Sequence, residues 1–308
     1  MTAELGHGGC PGGWLIIDKP AGLTSSQVVT RLKRATGMKA GHAGTLDPLA
    51  TGILPVALGE ATKTVGFISK ATKRYSFRAR WGIATDTEDS DGATIGESGV
   101  RPDEAAIRAV LRRFTGPITQ RPPAYSAIKI AGRRAYALAR AGNAPTIPER
   151  QVTIFELALT ALPDRDHADF TAIVSEGTYI RALARDIAEA LGTLGHIAVL
   201  RRLAVGRFNE TQAISLDLAM TLGHSLPASG HLLPIEAALD DIPALALTAD
   251  EAARLRHGQQ IDLKASGEGA RLDRFDDGMI VGARHDQLLV GLARIEGSRL
   301  RPVRLINY

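Results

Sequence analysis

The sequence predicts an α+β protein. Segments with strand and helix character follow one another without the regular alternation that builds a doubly wound parallel sheet. One segment, Tyr75 to Trp81, alternates apolar and polar residues as a half-buried strand does. The end of the chain, beyond a proline-containing stretch, carries its own run of short strand patterns.

The first element is Trp14-Leu-Ile-Ile-Asp-Lys-Pro20, an apolar run that reads as a strand entering a turn. Ser25 or Ser26 can cap a helix with Val28, Val29, Leu32 and Ala35 on one face and Gly37 at its end. Gly41-His-Ala-Gly-Thr-Leu-Asp-Pro48 holds two glycines and a proline in eight residues, so it reads as a shaped loop. A buried strand over Ile53–Leu58 follows. In Tyr75–Trp81, Tyr75, Phe77, Ala79 and Trp81 share one face, and Ser76, Arg78 and Arg80 the other. An acidic loop, Asp86 to Gly92, leads to an amphipathic helix over Asp103–Phe114, with Ile107, Val110, Leu111 and Phe114 inward. Strands are expected at Val152–Leu159 and Asp169–Ser175, then a helix from Tyr179 to Leu191 and a strand at Ile197–Leu203. Leu222 to Pro243 reads as a linker with a short helix near Ile235–Leu239. Thr248-Ala-Asp-Glu251 is a capping box for a helix ending near Gly258. Short strands at 260–263, 279–283, 288–293 and 301–306 complete a small barrel-like β module.

The chain has 308 residues, 44% apolar and 23% charged, which fits a soluble globular protein with a sizeable core. A single cysteine, Cys10, excludes an intramolecular disulfide. Neither a signal-peptide pattern near Met1 nor an apolar run of ~20 residues is present, so a cytoplasmic protein without a membrane span is expected. The net charge of +4 is modest, but Arg121 to Arg140 carries five basic residues and no acidic one. A one-sign patch of this kind attracts a polyanion such as nucleic acid; the alternative is a solvated helix face.

Several motifs fail on spacing. Gly59-Glu-Ala-Thr-Lys-Thr64 lacks the glycine before lysine that a phosphate loop needs. Asp86-Thr-Glu-Asp-Ser-Asp-Gly92 places glycine seventh, whereas a calcium loop needs it sixth. No pair among the eight histidines has metal-ligand spacing, so no metal is expected. What remains is the Gly41–Pro48 loop, which presents a histidine and an aspartate between a helix and a buried strand. Loops on rigid scaffolds commonly carry catalytic groups, and Asp-Pro also commonly just opens a turn.

Gly41-His-Ala-Gly-Thr-Leu-Asp-Pro-Leu-Ala-Thr-Gly52 resembles the signature loop of the TruB family of tRNA pseudouridine synthases. Asp18-Lys-Pro-Ala-Gly22, Lys73-Arg-Tyr75, Ser175-Glu-Gly-Thr-Tyr-Ile-Arg181 and Leu200-Arg-Arg-Leu203 resemble its other motifs, in the same order. The resemblance implies a catalytic domain over residues 1–243, built on a mixed, mainly antiparallel sheet with flanking helices. It implies a basic RNA-clamping insertion at about 121–150. Residues 244–308 are similar to the small RNA-binding domain called PUA. By the same resemblance, Asp47 is the catalytic aspartate and Tyr75 stacks on the target base. His42 lies beside the flipped-out nucleotide, Tyr179 and Leu200 line the uridine pocket, and Arg181 pairs with the catalytic carboxylate. Lys19, Lys129, Arg133 and Arg134 are expected to contact RNA.

The implied reaction isomerises uridine 55 in the T-arm of tRNA. The C1′–N1 bond breaks, the base turns and C1′ joins C5, with no cofactor expected. The base must leave its stack, and an aromatic face can replace the lost stacking, worth ~1–3 kcal/mol. An aspartate carboxylate is already anionic at neutral pH. Attack on C1′, addition to the uracil ring and removal of a ribose proton all remain open to it. A monomer without an obligatory protein partner is expected. The alternatives are an RNA-binding protein that folds tRNA with incidental catalysis, and a guide-RNA-dependent enzyme inside a ribonucleoprotein.

Overall fold

The computed structural model describes residues 11–126, 128–130, 133–134, 147–239, 241–263 and 274–308, with the backbone alone for 129–130 and 133–134. Cys10 and Arg140 lie outside the described residues.

The chain opens with β1 (Gly12–Lys19), then α1 (Ser25–Thr36), β2 (Ala40–His42) and β3 (Thr51–Gly59). A 3-10 turn and the short α2 (Val65–Ile68) lead to β4 (Lys73–Trp81) and the hairpin of β5 (Ile83–Thr85) and β6 (Thr94–Glu97). Next come α3 (Glu104–Leu111), β7 (Gly116–Gln120) and the two-residue strands β8 (Lys129–Ile130) and β9 (Arg133–Arg134). The long hairpin β10 (Arg150–Asp164) and β11 (His167–Val174) precedes α4 (Ile180–Ala190), β12 (Gly195–Val205), β13 (Phe208–Asn209), β14 (Ile214–Ser215) and α5 (Leu216–Leu222).

Ten of these strands form one sheet in the order β14-β1-β3-β12-β4-β11-β10-β7, with β2 also on β3 and β13 on β12. The β14–β1 and β3–β12 pairs are parallel and the others antiparallel. The sheet is thus mixed and mainly antiparallel, in an α+β arrangement.

The Trp14–Ile17 run of β1 is apolar without alternation because both its faces are covered. Leu15 and Ile17 join Val28, Leu32, Leu54, Phe77, Phe170, Leu183 and Ile187 in a core shared with α1 and α4. Trp14 and Ile16 join Ile53, Phe208, Leu289, Leu292 and Ile306 in a second core on the other face. β4 shows the expected alternation: Tyr75, Phe77, Ala79 and Trp81 are buried, while Arg74 and Arg80 are exposed.

The last residues form a five-stranded sheet ordered β15 (Ala244–Ala246), β17 (Ile280–His285), β18 (Leu288–Glu296), β19 (Arg299–Leu305) and β16 (Ile261–Asp262). Beside it lies α6 (Ala249–Arg256), whose expected capping box is present: Glu251 N donates to Thr248 Oγ1 and Thr248 N to Glu251 Oε2. The Gly59–Thr64 segment ties this sheet to the first. Lys63 Nζ donates to Leu305 O at 2.7 Å and to Glu60 Oε2 at 2.6 Å, and Asn307 N donates to the same Glu60 oxygen at 2.8 Å.

Three expectations need correction. The cap of α1 is Thr24, not Ser25 or Ser26: Gln27 N donates to Thr24 Oγ1, and Thr24 N donates back to Gln27 Oε1. Ser25 is buried and turned to another use. The Gly41–Pro48 loop begins as strand, since Ala40–His42 pairs with Leu58–Val56. The 222–243 stretch is no free linker. Trp14 and Leu233 exchange backbone hydrogen bonds at 2.8 Å each way, and Leu226, Ile235 and Leu239 are buried. Its prolines mark irregular backbone, which is not the same as exposure.

Candidate active site

Residues 43–50 form a loop whose Leu46 and Ala50 sink into the first core and Ala43 into the second, and its backbone is held by side chains that reach in from the scaffold. Ser25 Oγ, on the first turn of α1, accepts from Leu46 N at 2.8 Å and donates to Leu46 O at 3.1 Å. Arg202, fully buried on β12, donates to Gly44 O, Thr45 O and Ile53 O. Lys19, fully buried at the end of β1, donates to Pro20 O, Leu23 O and Pro48 O. Burial, with the Arg202 charge adding and Asp47 opposing, lowers the Lys19 ammonium to about 8. Lys19, expected to contact RNA, instead has its ammonium buried beneath the loop with its three donors on carbonyls.

These anchors fix Asp47, whose side chain is 32% exposed. Arg181 grips it as a fork, Nε to Oδ2 at 2.9 Å and Nη2 to Oδ1 at 3.1 Å. Such paired charge-assisted bonds fix orientation as well as distance. Arg181 is 4% exposed, and its other donors reach Thr87 O at 2.7 Å and Tyr125 O at 2.9 Å. Asp89 is 3.7 Å from the same guanidinium. Burial raises the Asp89 carboxyl above its ordinary range, while Thr87 and Arg181 pull against that rise. The acidic stretch that fails as a calcium loop thus supplies buried partners for Arg181. Glu88, beside it, has φ 61° and pairs with Arg185 of α4. A buried pair of this kind costs about 3–5 kcal/mol when broken from one side.

Asp47 opens onto a cleft of about 270 Å³ lined also by Lys73, Tyr75, Tyr179, Arg181, Leu200 and Arg202. Four separate chain segments bring these together. Tyr75 and Arg202 are opposite each other in the β4–β12 pairing, and Leu200 is two residues along on the same strand. Tyr179 precedes α4 and offers no side-chain cap; instead Gln120 clasps its backbone, accepting from Tyr179 N at 2.8 Å and donating to Tyr179 O at 3.1 Å. The Arg150 guanidinium lies 5.1 Å from the centre of the Tyr179 ring. Burial and the Arg202 charge lower the Lys73 ammonium to about 8, with Glu176 opposing.

Of the expected site residues, Asp47, Tyr75, Tyr179, Arg181 and Leu200 meet in this cleft. His42 does not line it; it stands on β2 opposite Val56, two residues before the lining residue Gly44. Lys129, Arg133 and Arg134 form the β8–β9 hairpin, Lys129 opposite Arg134, and their side chains lie outside the described set. Sequence reading missed Ser25, Asp89, Gln120, Lys73 and Arg202. For Lys73 a signal existed: the period-2 pattern puts it on the Tyr75 face. For Gln120 there was none, because nothing local links it to Tyr179, 59 residues on.

A larger cavity, about 430 Å³, lies where the second sheet meets the first, among Arg207, Glu236, Leu239, Arg284 and Leu289. Arg284 there is 3.7 Å from the Glu236 carboxylate. Chemistry, not size, singles out the Asp47 cleft. Among the described residues, no group of three or more His, Cys, Asp or Glu side chains could hold a metal ion.

Three family models match the chain: TruB family pseudouridylate synthase (N terminal domain) over residues 31–180, tRNA pseudouridylate synthase B C-terminal domain over 181–240, and Pseudouridine synthase II TruB, C-terminal, over 243–306. A protein named tRNA pseudouridine synthase B from Rhodospirillum rubrum is 50% identical over 96% of each chain. One of the same name from Gluconacetobacter diazotrophicus is 51% identical over 96% of this chain and 97% of its own. A third, from Caulobacter vibrioides, is 48% identical over 99% of both. The fold is shared with the matched chain in a solved structure of an H/ACA ribonucleoprotein bound to a substrate RNA containing 2′-deoxyuridine, with a TM-score of 0.72 and 23% identity over 96% of this chain and 85% of that one. Half identity along nearly the whole length, joined to a clefted aspartate held by arginine, places this chain in the TruB family of pseudouridylate synthases.

Proposed function

We propose that the protein converts uridine to pseudouridine in tRNA, at uridine 55 of the T-arm, with Asp47 as the catalytic residue. The observation that carries this is the Asp47 carboxylate, partly open to a cleft floored by Tyr75 and Leu200 and fixed in direction by Arg181. Relatives at 48–51% identity named tRNA pseudouridine synthase B support the substrate class.

The chemistry follows from the residues. A uridine turned out of its stack gives up stacking energy, and Tyr75 offers an aromatic face in exchange. Leu200, beside Tyr75 on the neighbouring strand, adds an apolar surface for the base. Asp47, held by two hydrogen bonds, supplies a fixed negative charge near the sugar when the C1′–N1 bond loosens. The fork from Arg181 fixes where that charge sits, and such positioning is a large part of catalytic power. The β8–β9 hairpin, bearing Lys129, Arg133 and Arg134, and the sheet over 244–305 are proposed to bind RNA outside the cleft. The chain is proposed to act alone, in the cytoplasm; among the described residues, no helix is long and apolar enough to cross a membrane.

Incubation with unmodified tRNA followed by site mapping tests this. Pseudouridine is expected at position 55, and Asp47→Asn is expected to abolish turnover while tRNA still binds. Turnover by Asp47→Asn at the parent rate would overturn the assignment of Asp47.

A further inference from the structure

Two buried lysines flank the catalytic loop, and they differ in one respect. Lys19 spends its three donors on three carbonyls. Lys73, 7% exposed, has one acceptor among the described residues, Ser69 O at 2.5 Å. An ammonium carries three donors, and leaving donors unmade in a buried place is costly. Lys73 also lines the cleft, whereas Lys19 does not. The other two cations of the cleft are committed: Arg202 to three backbone carbonyls, Arg181 to Asp47, Thr87 O and Tyr125 O. Among the described residues, Lys73 is therefore the cleft cation with capacity left for a ligand.

Its position says which ligand atom. Lys73 and Tyr75 are two apart on β4 and share the buried face, ~6.6 Å along the strand. An ammonium there reaches the edge of a ring stacked on Tyr75. The phosphodiester chain must run out of the cleft to the rest of the RNA, so the group that meets a side chain buried this deeply is the base. We propose that Lys73 is a second catalytic residue, donating a hydrogen bond to a carbonyl oxygen of the uracil ring and stabilising the negative charge the ring takes when the C1′–N1 bond breaks. The electron pair of that bond stays with the ring, spread over N1 and the carbonyl oxygens. Lys73 keeps its proton throughout. C5 then bonds to C1′ with a ring electron pair, C5 loses its proton to solvent, and N1 gains one, so the product is an isomer.

The role rests on the activity proposed above. The charged groups that face the ammonium are Arg202 on β12 and Glu176 on the turn after β11, with Asp47 and Arg181 in the same cleft. With the free-enzyme ammonium titrating near 8, kcat/KM of the parent is expected to fall above that pH. Lys19 titrates in the same range, so the variant decides which lysine is responsible.

The test uses full-length protein and unmodified tRNA. Lys73→Met is expected to lower the single-turnover rate at saturating enzyme by about 100-fold or more, the loss seen on removing one preorganised donor to developing charge. Its Kd for tRNA should stay within a few-fold of the parent. Lys73→Arg is expected to recover at least about a tenth of the rate and to lose the alkaline limb near pH 8. A parent-like rate for Lys73→Met, a defect confined to tRNA affinity, or an unmoved alkaline limb in Lys73→Arg would each overturn the role. If Lys73→Met fails to fold, the pH profile of Lys73→Arg still decides. A parent that forms no pseudouridine would instead remove the activity itself, and the role with it.

Discussion

Asp47 is about one-third exposed and Arg181 is almost wholly buried, and that asymmetry divides their work. The carboxylate can meet a nucleotide, while the guanidinium can only orient it. Lys19 shows the same division more sharply, as a cation placed where no substrate reaches. Its pKa is about 8 in the fold against 10.5 ordinarily. Between those values the unfolded chain holds a proton that the native state has shed, so stability rises with pH across that window. Below 8 the charged form is carried in both states and the burial penalty is felt in full. Urea melts at pH 7.5 and pH 9.5 should therefore show a smaller gain with pH in Lys19→Met than in the parent. An equal gain in both would mean that Lys19 is not a source of the rise. The sequence showed Asp47, Tyr75 and Arg181 as candidates through their motif positions. For Lys19 the sequence suggested RNA contact, and only the fold reveals that three carbonyls accept from its ammonium.

At the scale of elements, α1 does two jobs. Thr24 starts it through a capping box, and Ser25, on the same turn, pins the Asp47 loop at Leu46. Ser25→Ala would leave a buried N–H and C=O without their partner, costing about 1–3 kcal/mol. It is expected also to slow single turnover by about 10-fold to 100-fold, since small displacements at a reacting centre are expensive. Thr24→Ala should cost about 1 kcal/mol through the cap and leave the rate near that of the parent. Urea melts and single-turnover assays on both variants separate the two; equal rate losses would mean that Ser25 acts only through helix stability. The helix and most strands were legible because their apolar periods are local. The choice between neighbouring polar residues for the cap was not, because it depends on which of them the loop claims.

At the scale of the molecule, the second sheet is part of the first sheet's core. Trp14, Ile16, Ile53 and Phe208 are fully buried in a cluster shared with Leu289, Leu292 and Ile306. Large apolar side chains lose about 1.5–3 kcal/mol each when fully uncovered. A chain ending at residue 243 is therefore expected to melt at lower temperature than the full chain and to bind a hydrophobic dye. A melting curve unchanged by that truncation would show that the shared cluster contributes little. The β8–β9 hairpin acts at longer range. Replacing Arg133 and Arg134 together by Ala is expected to weaken tRNA binding and to flatten its dependence on salt, because fewer counterions are released. Affinity measured from low to moderate salt reads this directly, and an unchanged slope would take the hairpin out of the interface.

The sequence by itself determined the strand and helix periods and the apolar run Trp14–Ile17, which are readable because they depend on spacing within a few residues, while the loop that carries Asp47 was singled out by the motifs that resemble the TruB family. Only the tertiary structure decided which side chains hold that loop, how Arg181 divides its donors, and that the 222–243 stretch packs instead of serving as a linker. The reason is that hydrogen-bond partners such as Gln120 and Tyr179, or Arg181 and Asp47, stand 59 and 134 residues apart in the chain. Burial, which sets whether a charge can meet a ligand or must be satisfied by backbone, exists only once the sheet has closed over them.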